Sequence, residues 1–342
     1  IVRPTTPAPT ITESKILYTP KNYTNSILTI RFNLWCKFIV IIAFKFSINL
    51  FMNKITKAII PVAGLGTRML PATKAIPKEL LPVFDKPIIQ HVVEEAINSG
   101  IKEIIFVTRS GKEAIENHFD VNYELEHRLD KKGKKKILGS IKNVIPKEIK
   151  ISSVRQENAL GLGHAILCAK HLIGNESFAV FLPDELLISK SAKNSFFLMM
   201  KAWNETEEGQ IMVEKISKIN SDRYGMVDLN KKVIVKNESK KIFKLVEKPS
   251  SIKSPSNCRV VGRYILPNQV MSYLQKTKIG KDGEIQLTDA LDSLLKSSSL
   301  NAFLTDSEIF DCGEKKGFIG ANIALAKQDS SMKKYMEKII NN

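Results

Sequence analysis

Lys57-Ala58-Ile59-Ile60-Pro61-Val62-Ala63-Gly64 runs directly into Leu65-Gly66-Thr67-Arg68-Met69-Leu70-Pro71 and, a few residues on, Ile76-Pro77-Lys78-Glu79. The first eight residues are an apolar run closed by glycine, the pattern of a strand buried on both faces that ends in a turn. Downstream, Ile88, Ile89, Val92, Val93, Ala96 and Ile97 recur at helical spacing, and Gly100 supplies a C-cap. Glu103–Thr108 then reads as a second buried strand, followed by a helical segment from Gly111 to about Phe119, strand Ile151–Gln156, helix Leu162–Leu172 and strand Phe178–Leu182. Strands alternating with helices predict an α/β fold, a mainly parallel sheet covered by helices on both faces. In such sheets ligands sit beyond the carboxyl ends of the strands, so the loop after Val62 is the first place to look for chemistry.

The second half has a different texture. Gln210–Ile216, Tyr224–Asp228, Val233–Val235, Ile242–Glu247 and Arg259–Leu266 read as short strands with few helices between them, a mixed extension of the sheet. Helices near Ile285–Leu295 and Lys315–Ala326 close the chain ahead of a polar tail. The basic run Lys131 to Lys136 reads as an exposed hairpin or loop with a solvated face.

Composition sets the bounds. The 342 residues are 43% apolar and 25% charged, a globular chain with room for one large α/β domain. A net charge of +17 invites a nucleic-acid reading, but its distribution argues otherwise. Residues 1–51 hold six bases against one acid and the 131–136 run adds five lysines, which leaves +7 on the remaining 285 residues. That excess suits a small anionic ligand, and no nucleic-acid partner is expected. The four cysteines (Cys36, Cys168, Cys258, Cys312) have no C-x-x-C spacing and no nearby histidine at zinc-ligand spacing, so free thiols and a reducing, cytoplasmic location are expected. Residues 1–51 read as a disordered or non-native extension, and residues 52–342 as the functional domain. The longest clean apolar run in the extension, Phe38 to Phe44, is too short to span about 30 Å of hydrocarbon.

The loop itself excludes two common phosphate sites. A dinucleotide fingerprint needs glycine where Met69 stands, and no Gly-Lys-Ser/Thr follows as a P-loop requires. What remains is a glycine turn with Arg68 and Lys78 on one loop, two cations beside exposed amides, an arrangement suited to a triphosphate.

That loop resembles the G-x-G-T-R…P-K signature of the sugar-1-phosphate nucleotidylyltransferases, and the longer string Gly64–Pro82 (GLGTRMLPATKAIPKELLP) is similar to the bacterial UTP–glucose-1-phosphate uridylyltransferases in particular. Further matches follow in family order: Val154-Arg155-Gln156, Gly161-Leu162-Gly163-His164-Ala165, Leu182-Pro183-Asp184, Tyr224-Gly225-Met226-Val227, Val246-Glu247-Lys248-Pro249, Gly262-Arg263-Tyr264, Gly283 to Asp289 and Asp311-Cys312-Gly313. The resemblance covers about Lys57 to Lys327. Glu185 after Asp184 and the string Glu157 to Leu160 depart from the family pattern, and the 51-residue extension has no counterpart in it.

The resemblance implies a Rossmann-like three-layer α/β/α nucleotide-diphospho-sugar transferase fold and transfer of a uridylyl group from UTP to glucose 1-phosphate. A thymidylyl- or cytidylyltransferase is the nearest enzymatic alternative. Because the nucleophile is an ionised phosphate of the substrate, no protein nucleophile is needed, and catalysis reduces to positioning and charge neutralisation. Arg68 and Lys78 are then assigned to the β- and γ-phosphates and Lys248 to the sugar phosphate, with Asp184 as the fourth catalytic residue. Asp184 and Asp311 are expected to hold Mg²⁺, a hard cation that suits carboxylates and phosphates. Substrate contacts are expected from Ala63, Gly64, Gln156, Gly161, Gly225, Glu247 and Val261. Gln156 carries an amide that offers a donor and an acceptor to the uracil edge. Glu247 and Lys248 can share one site only if their strand ends there, and Pro249 argues that it does. His164 needs no catalytic role. A homo-oligomer, dimer or tetramer, is the expected assembly.

Overall fold

A computed structural model describes residues 55–280 and 283–340; the expected extension and Cys36 lie outside the described residues. The opening strand β1 (Lys57–Pro61) pairs in parallel with β4 (Glu103–Thr108), after a two-residue ribbon of β2 (Pro82–Val83) and β3 (Lys86–Pro87). Next come β5 (Lys150–Arg155), parallel to β4, and β6 (Phe178–Phe181), parallel to β1. The second half adds β7 (Glu185–Ile188), β8 (Gly209–Lys215), β9 (Gly225–Asp228), β10 (Ser239–Lys241), β11 (Lys244–Glu247), β12 (Cys258–Leu266), β13 (Leu300–Leu304) and β14 (Glu308–Asp311). The main sheet runs β10-β13-β8-β12-β6-β1-β4-β5, with β9 and β11 attached beside β12. Because β12 is antiparallel to both β6 and β8, and β13 is parallel to β8, six strands of this path point one way and only β12 and β10 oppose them.

Alternation along the strands builds the two faces. Ile59, Ile105, Val107 and Val180 pack on one side with helices α5 (Gly161–Cys168), α6 (Lys170–Ile173), α8 (Val270–Lys276) and α9 (Leu287–Leu294). Their neighbours Ala58, Ile60, Ile104, Phe106 and Phe181 pack on the other with α1 (Ile88–Asn98), α2 (Glu113–Phe119) and α7 (Ser195–Thr206). This is the expected α/β/α sandwich. The stripe Ile89, Val92, Val93 and Ala96 explains why α1 is helical despite its β-branched content, and Gly100 ends it at φ +105°. A smaller core beneath the β7–β14 ribbon joins Met69, Leu81, Ile88, Leu186, Cys312 and Ala321 to α10 (Lys315–Gln328).

Several expectations are corrected. Val233–Val235 is not a strand: only Ile234 is buried, both valines are exposed, and the Ile234 carbonyl accepts from Lys215 Nζ instead of a ladder partner. The edge position is taken by β10, which pairs with β13. The lysine run spans the junction of a helical pair, α3 (Tyr123–Lys131) and α4 (Lys135–Lys142), with only Lys132, Gly133 and Lys134 in the turn and Asn122 Oδ1 capping the first helix at Leu125 N–H. The polar tail forms α11 (Ser330–Ile340), whose first turn is capped by Asp329 accepting from the amides of Ser331 and Met332. Helix α7 and strands β7, β13 and β14 carried no sequence signal of comparable strength. Among the described residues no helix is long and apolar enough to cross a membrane.

One buried cation holds the place where the chain leaves β6. Arg263 on β12 is fully buried; it donates to Glu95, to the carbonyls of Leu182 and Gly262, and to that of Glu185. Arg263→Met leaves Glu95 buried and unpaired, and a destabilisation of about 3–5 kcal/mol is expected. Urea denaturation of the variant measures it; a loss below about 1 kcal/mol would show the pair to be dispensable.

Candidate active site

Beyond β1 the ladder continues for one residue, Val62 N–H donating to Val107 O at 2.8 Å, and the chain then turns across the sheet edge. Ala63, Gly64 and Gly66 line a cavity of about 530 Å³ with Gln156, Gly161 and Asp184. That volume lies within the range of small-molecule sites and suits a nucleoside. A second cavity, between β9, β11, β12 and the start of α9, is lined by Tyr224, Gly225, Glu247, Val260 and Thr288. Arg68, Leu162, Leu182 and Asp184 line both, so the two cavities meet there.

Opposite charges gather at the junction. Lys78 Nζ lies 2.6 Å from Asp184 Oδ2, Arg68 Nη1 lies 2.8 Å from Asp311 Oδ2, and Arg68 Nη2 lies 3.4 Å from Asp184 Oδ2. The β7–β14 ribbon brings the two carboxylates to one cation: it pairs Glu185 with Asp311, and Cys312 N–H donates to Asp184 O at 2.7 Å. Burial by itself would raise the Asp184 carboxyl, but the charges of Lys78 and Arg68 outweigh it and hold the group below its ordinary value. Asp311 behaves oppositely: burial and the neighbouring Asp184 push it up, and Arg68 only partly opposes them. Burial disfavours the Lys78 ammonium, yet Asp184 and Glu79 raise its pKa overall.

Two carboxylates without histidine or thiolate are hard donors, and among the described residues no group of three or more His, Cys, Asp or Glu could form an all-protein cage. This set fits a magnesium-like ion, which takes one or two carboxylates and completes its shell with phosphates and water.

The first cavity is built on Gln156, at the end of β5, and on the first turn of α5. Gly161 adopts φ +85°, and a Cβ there would fall 2.6 Å from Glu284 Cβ, so glycine is required at this turn. Gln156 Nε2 donates to Gly161 O at 3.1 Å and lies 3.1 Å from His164 Nδ1. Both amide protons are therefore used within the protein. The expected donor-and-acceptor presentation is corrected to an acceptor alone.

On the other side β11 ends at Glu247, as Pro249 suggested, and Lys248 follows at φ +42° with its ammonium 3.7 Å from Glu247 Oε1. Glu247 lines the second cavity and accepts from Thr288 Oγ1 at 2.6 Å. Lys248 stands beside that carboxylate and does not itself line the cavity. The Val261 side chain is in the core, and the alternation of β12 turns Val260 to the cavity, so any contact from Val261 is through its backbone.

Two residues were missed. Glu79 is buried, with Oε2 accepting from Lys112 Nζ at 2.7 Å and Oε1 without a partner among the described residues. It lines the first cavity, and burial pushes its pKa up despite Lys112 and Lys78. A carboxylate directly after Lys78 and before Leu80-Leu81-Pro82 was the available signal. Thr288 lay inside a matched string but carried no signal of its own. Glu185, a departure in the sequence, lines the second cavity and is fixed there: its carboxylate accepts from Arg259 at 2.6 Å and from Gly262 N–H.

A family model described as nucleotidyl transferase matches residues 57–328. A curated relative from Haemophilus influenzae, named UTP–glucose-1-phosphate uridylyltransferase, is 49% identical over 289 residues, 84% of this chain and 98% of that protein. The solved structure of a UTP-bound UGPase from Acinetobacter baumannii aligns with a TM-score of 0.79 at 42% identity, covering 84% of this chain and 99% of that one. A solved UDP-glucose pyrophosphorylase complexed with UDP-glucose aligns with a TM-score of 0.72 at 38% identity, over 80% of this chain and 100% of that one.

Gly313 leaves the space in which the charges meet. A Cβ there would stand 2.6 Å from Arg68 Nη2, 2.9 Å from Asp184 Oδ2 and 3.0 Å from Asp311 Oδ1. Gly313→Ala is expected to push the half-exposed guanidinium off both carboxylates at a stability cost of no more than about 1 kcal/mol. A crystal structure of the variant checks this, and Arg68 still bridging Asp184 and Asp311 would contradict it.

Proposed function

The chain belongs to the nucleotidyl transferase family, and from that premise we propose that it transfers the uridylyl group of UTP to glucose 1-phosphate, forming UDP-glucose and releasing pyrophosphate. The observation that carries the reading is the junction of two cavities at which Arg68, Lys78, Asp184 and Asp311 meet. A nucleotide in one cavity and a sugar phosphate in the other would bring their phosphates to this point. The relatives named for UTP and for UDP-glucose favour uridylyl over thymidylyl transfer.

Each residue then has a physical task. Arg68 and Lys78 neutralise the triphosphate and the charge that grows on departing pyrophosphate. Without ligand, those cations are neutralised by Asp184 and Asp311, so an arriving triphosphate exchanges one set of anionic partners for another. Gln156 meets the base, and Glu79, paired with Lys112, lines the cavity beside it. Backbone groups of Ala63, Gly64 and Gly161 flank the base. Gly225 and the backbone of Val261 lie on the sugar side, where Glu247, oriented by Thr288, takes glucose hydroxyls. Lys248, at the edge of that cavity, attracts the sugar phosphate. Nucleotidyl transfer calls for a divalent cation, which we assign as Mg²⁺ on Asp184 and Asp311; when bound it offsets the repulsion between the two phosphate groups.

Pyrophosphate release with UTP, glucose 1-phosphate and Mg²⁺ tests the reading, and turnover with CTP or dTTP alone overturns it. Asp184→Asn is expected to lower kcat by at least about 10²–10³ and to abolish metal dependence. Lys248→Ala is expected to raise the KM for glucose 1-phosphate about tenfold or more, with that for UTP changed little; equal changes in both would remove its role on the sugar side.

A further inference from the structure

The environment of Gln156 fixes more than its position. Its backbone N–H donates to Thr108 O at 2.8 Å, which anchors the residue at the end of β5, and its side chain is largely buried. Nε2 lies 3.1 Å from the Gly161 carbonyl, and a carbonyl only accepts, so that end of the amide must be the nitrogen. The second amide proton points to His164 Nδ1, also 3.1 Å away. His164 Nδ1 must then be the accepting nitrogen, with the ring proton on Nε2. The other polar neighbour of the ring is the Cys168 sulfur, 3.9 Å from both ring nitrogens, too far to compete strongly. Among the described residues Oε1 of Gln156 has no partner, and Gln156 lines the nucleoside cavity while His164 does not.

We infer that His164 is a positioning residue that sets the base preference of the site: by accepting from Gln156 it locks the amide with its carbonyl turned to the ligand. The inference rests on the uridylyl reading above and deepens it. Uracil presents a donor, N3–H, between two carbonyls, and a locked carbonyl accepts from it. Cytosine presents a bare acceptor at N3, so two acceptors would face each other. To serve cytosine the amide would have to flip, and its oxygen would then meet both the Gly161 carbonyl and the His164 lone pair. One adverse contact comes from the backbone and cannot be mutated away; the other comes from His164. Thymine shares the N3–H of uracil, so the lock is indifferent to the methyl group that separates UTP from dTTP.

That indifference supplies the control. The kcat/KM values for UTP, CTP and dTTP are measured with glucose 1-phosphate on the wild-type chain, His164→Leu and His164→Asn. Leucine removes the acceptor, whereas the asparagine Oδ1 can stand near the place of Nδ1. His164→Leu is expected to lower the UTP-to-CTP ratio about tenfold, chiefly through a higher KM for UTP, with kcat within about twofold and the UTP-to-dTTP ratio unchanged. His164→Asn is expected to recover most of the UTP-to-CTP ratio. An unchanged UTP-to-CTP ratio in His164→Leu, or an equal fall of both ratios, overturns the proposal while leaving the function intact. Absence of UTP turnover by the wild-type chain overturns the functional reading and this proposal with it. If the leucine variant does not fold, nitrogen-15 NMR of the histidine rings in the wild-type chain decides: Nε2–H at His164 supports the lock, and Nδ1–H overturns it.

Discussion

A guanidinium with no exposure to solvent holds together the part of the sheet from which the site is built. Arg263 sits on the antiparallel strand β12 beside β6 and donates to three carbonyls, two of them on the segment Leu182 to Glu185, while its charge is met by Glu95 from α1. A buried cation is tolerated only where every donor is used and a counter-charge is at hand. Meeting that condition ties α1, β12 and the exit of β6 together, and Asp184 lies within the tethered segment. Glu185, next in the chain, binds the same region from the other side through Arg259 and Gly262 N–H. The Asp184 carboxylate is thus placed by Arg263, which lines neither cavity, and by Glu185, which lines the second.

The charge pairs at the cavity junction follow from that placement. Arg68 comes from the loop after the first strand, Asp184 from the exit of β6 and Asp311 from the end of the C-terminal ribbon, and they meet within hydrogen-bond reach. Burial would favour protonated Asp184, and the adjacent cations reverse this. Asp311, where burial and the neighbouring Asp184 outweigh the Arg68 guanidinium, is pushed up. Two carboxylates at one site are therefore driven apart in their affinity for protons.

Much of the fold was legible. The apolar runs at Lys57–Pro61 and Glu103–Thr108 could only be strands buried on both faces, and the stripe in Ile88–Asn98 could only be a helix laid on them. The region after Thr206 was harder, because one short β-branched run looks like another. Val233–Val235 has the composition of a strand but leaves both valines exposed and unpaired in the sheet, whereas Ser239–Lys241 has a poor composition and occupies the edge. In the site, Arg68 and Lys78 stood out as two cations on one glycine turn, whereas Asp184, Gln156 and Glu247 were reached through the family resemblance; the fold sets all five along the two cavities. On β12 only the alternation seen in the fold decides that the Val260 side chain faces the cavity and that of Val261 the core.

The amino-acid sequence determined the layered α/β architecture, the loop that carries the cations and the kind of ligand they suit, because periodicity and local charge are properties of short segments. Only the tertiary structure decided that Gln156 spends both amide protons on the protein, that Glu79 keeps one oxygen unpaired, and that Asp311 shares a guanidinium with Asp184. Those facts depend on groups far apart along the chain that burial forces together, and a buried polar group is defined by its partners, which no local pattern reveals.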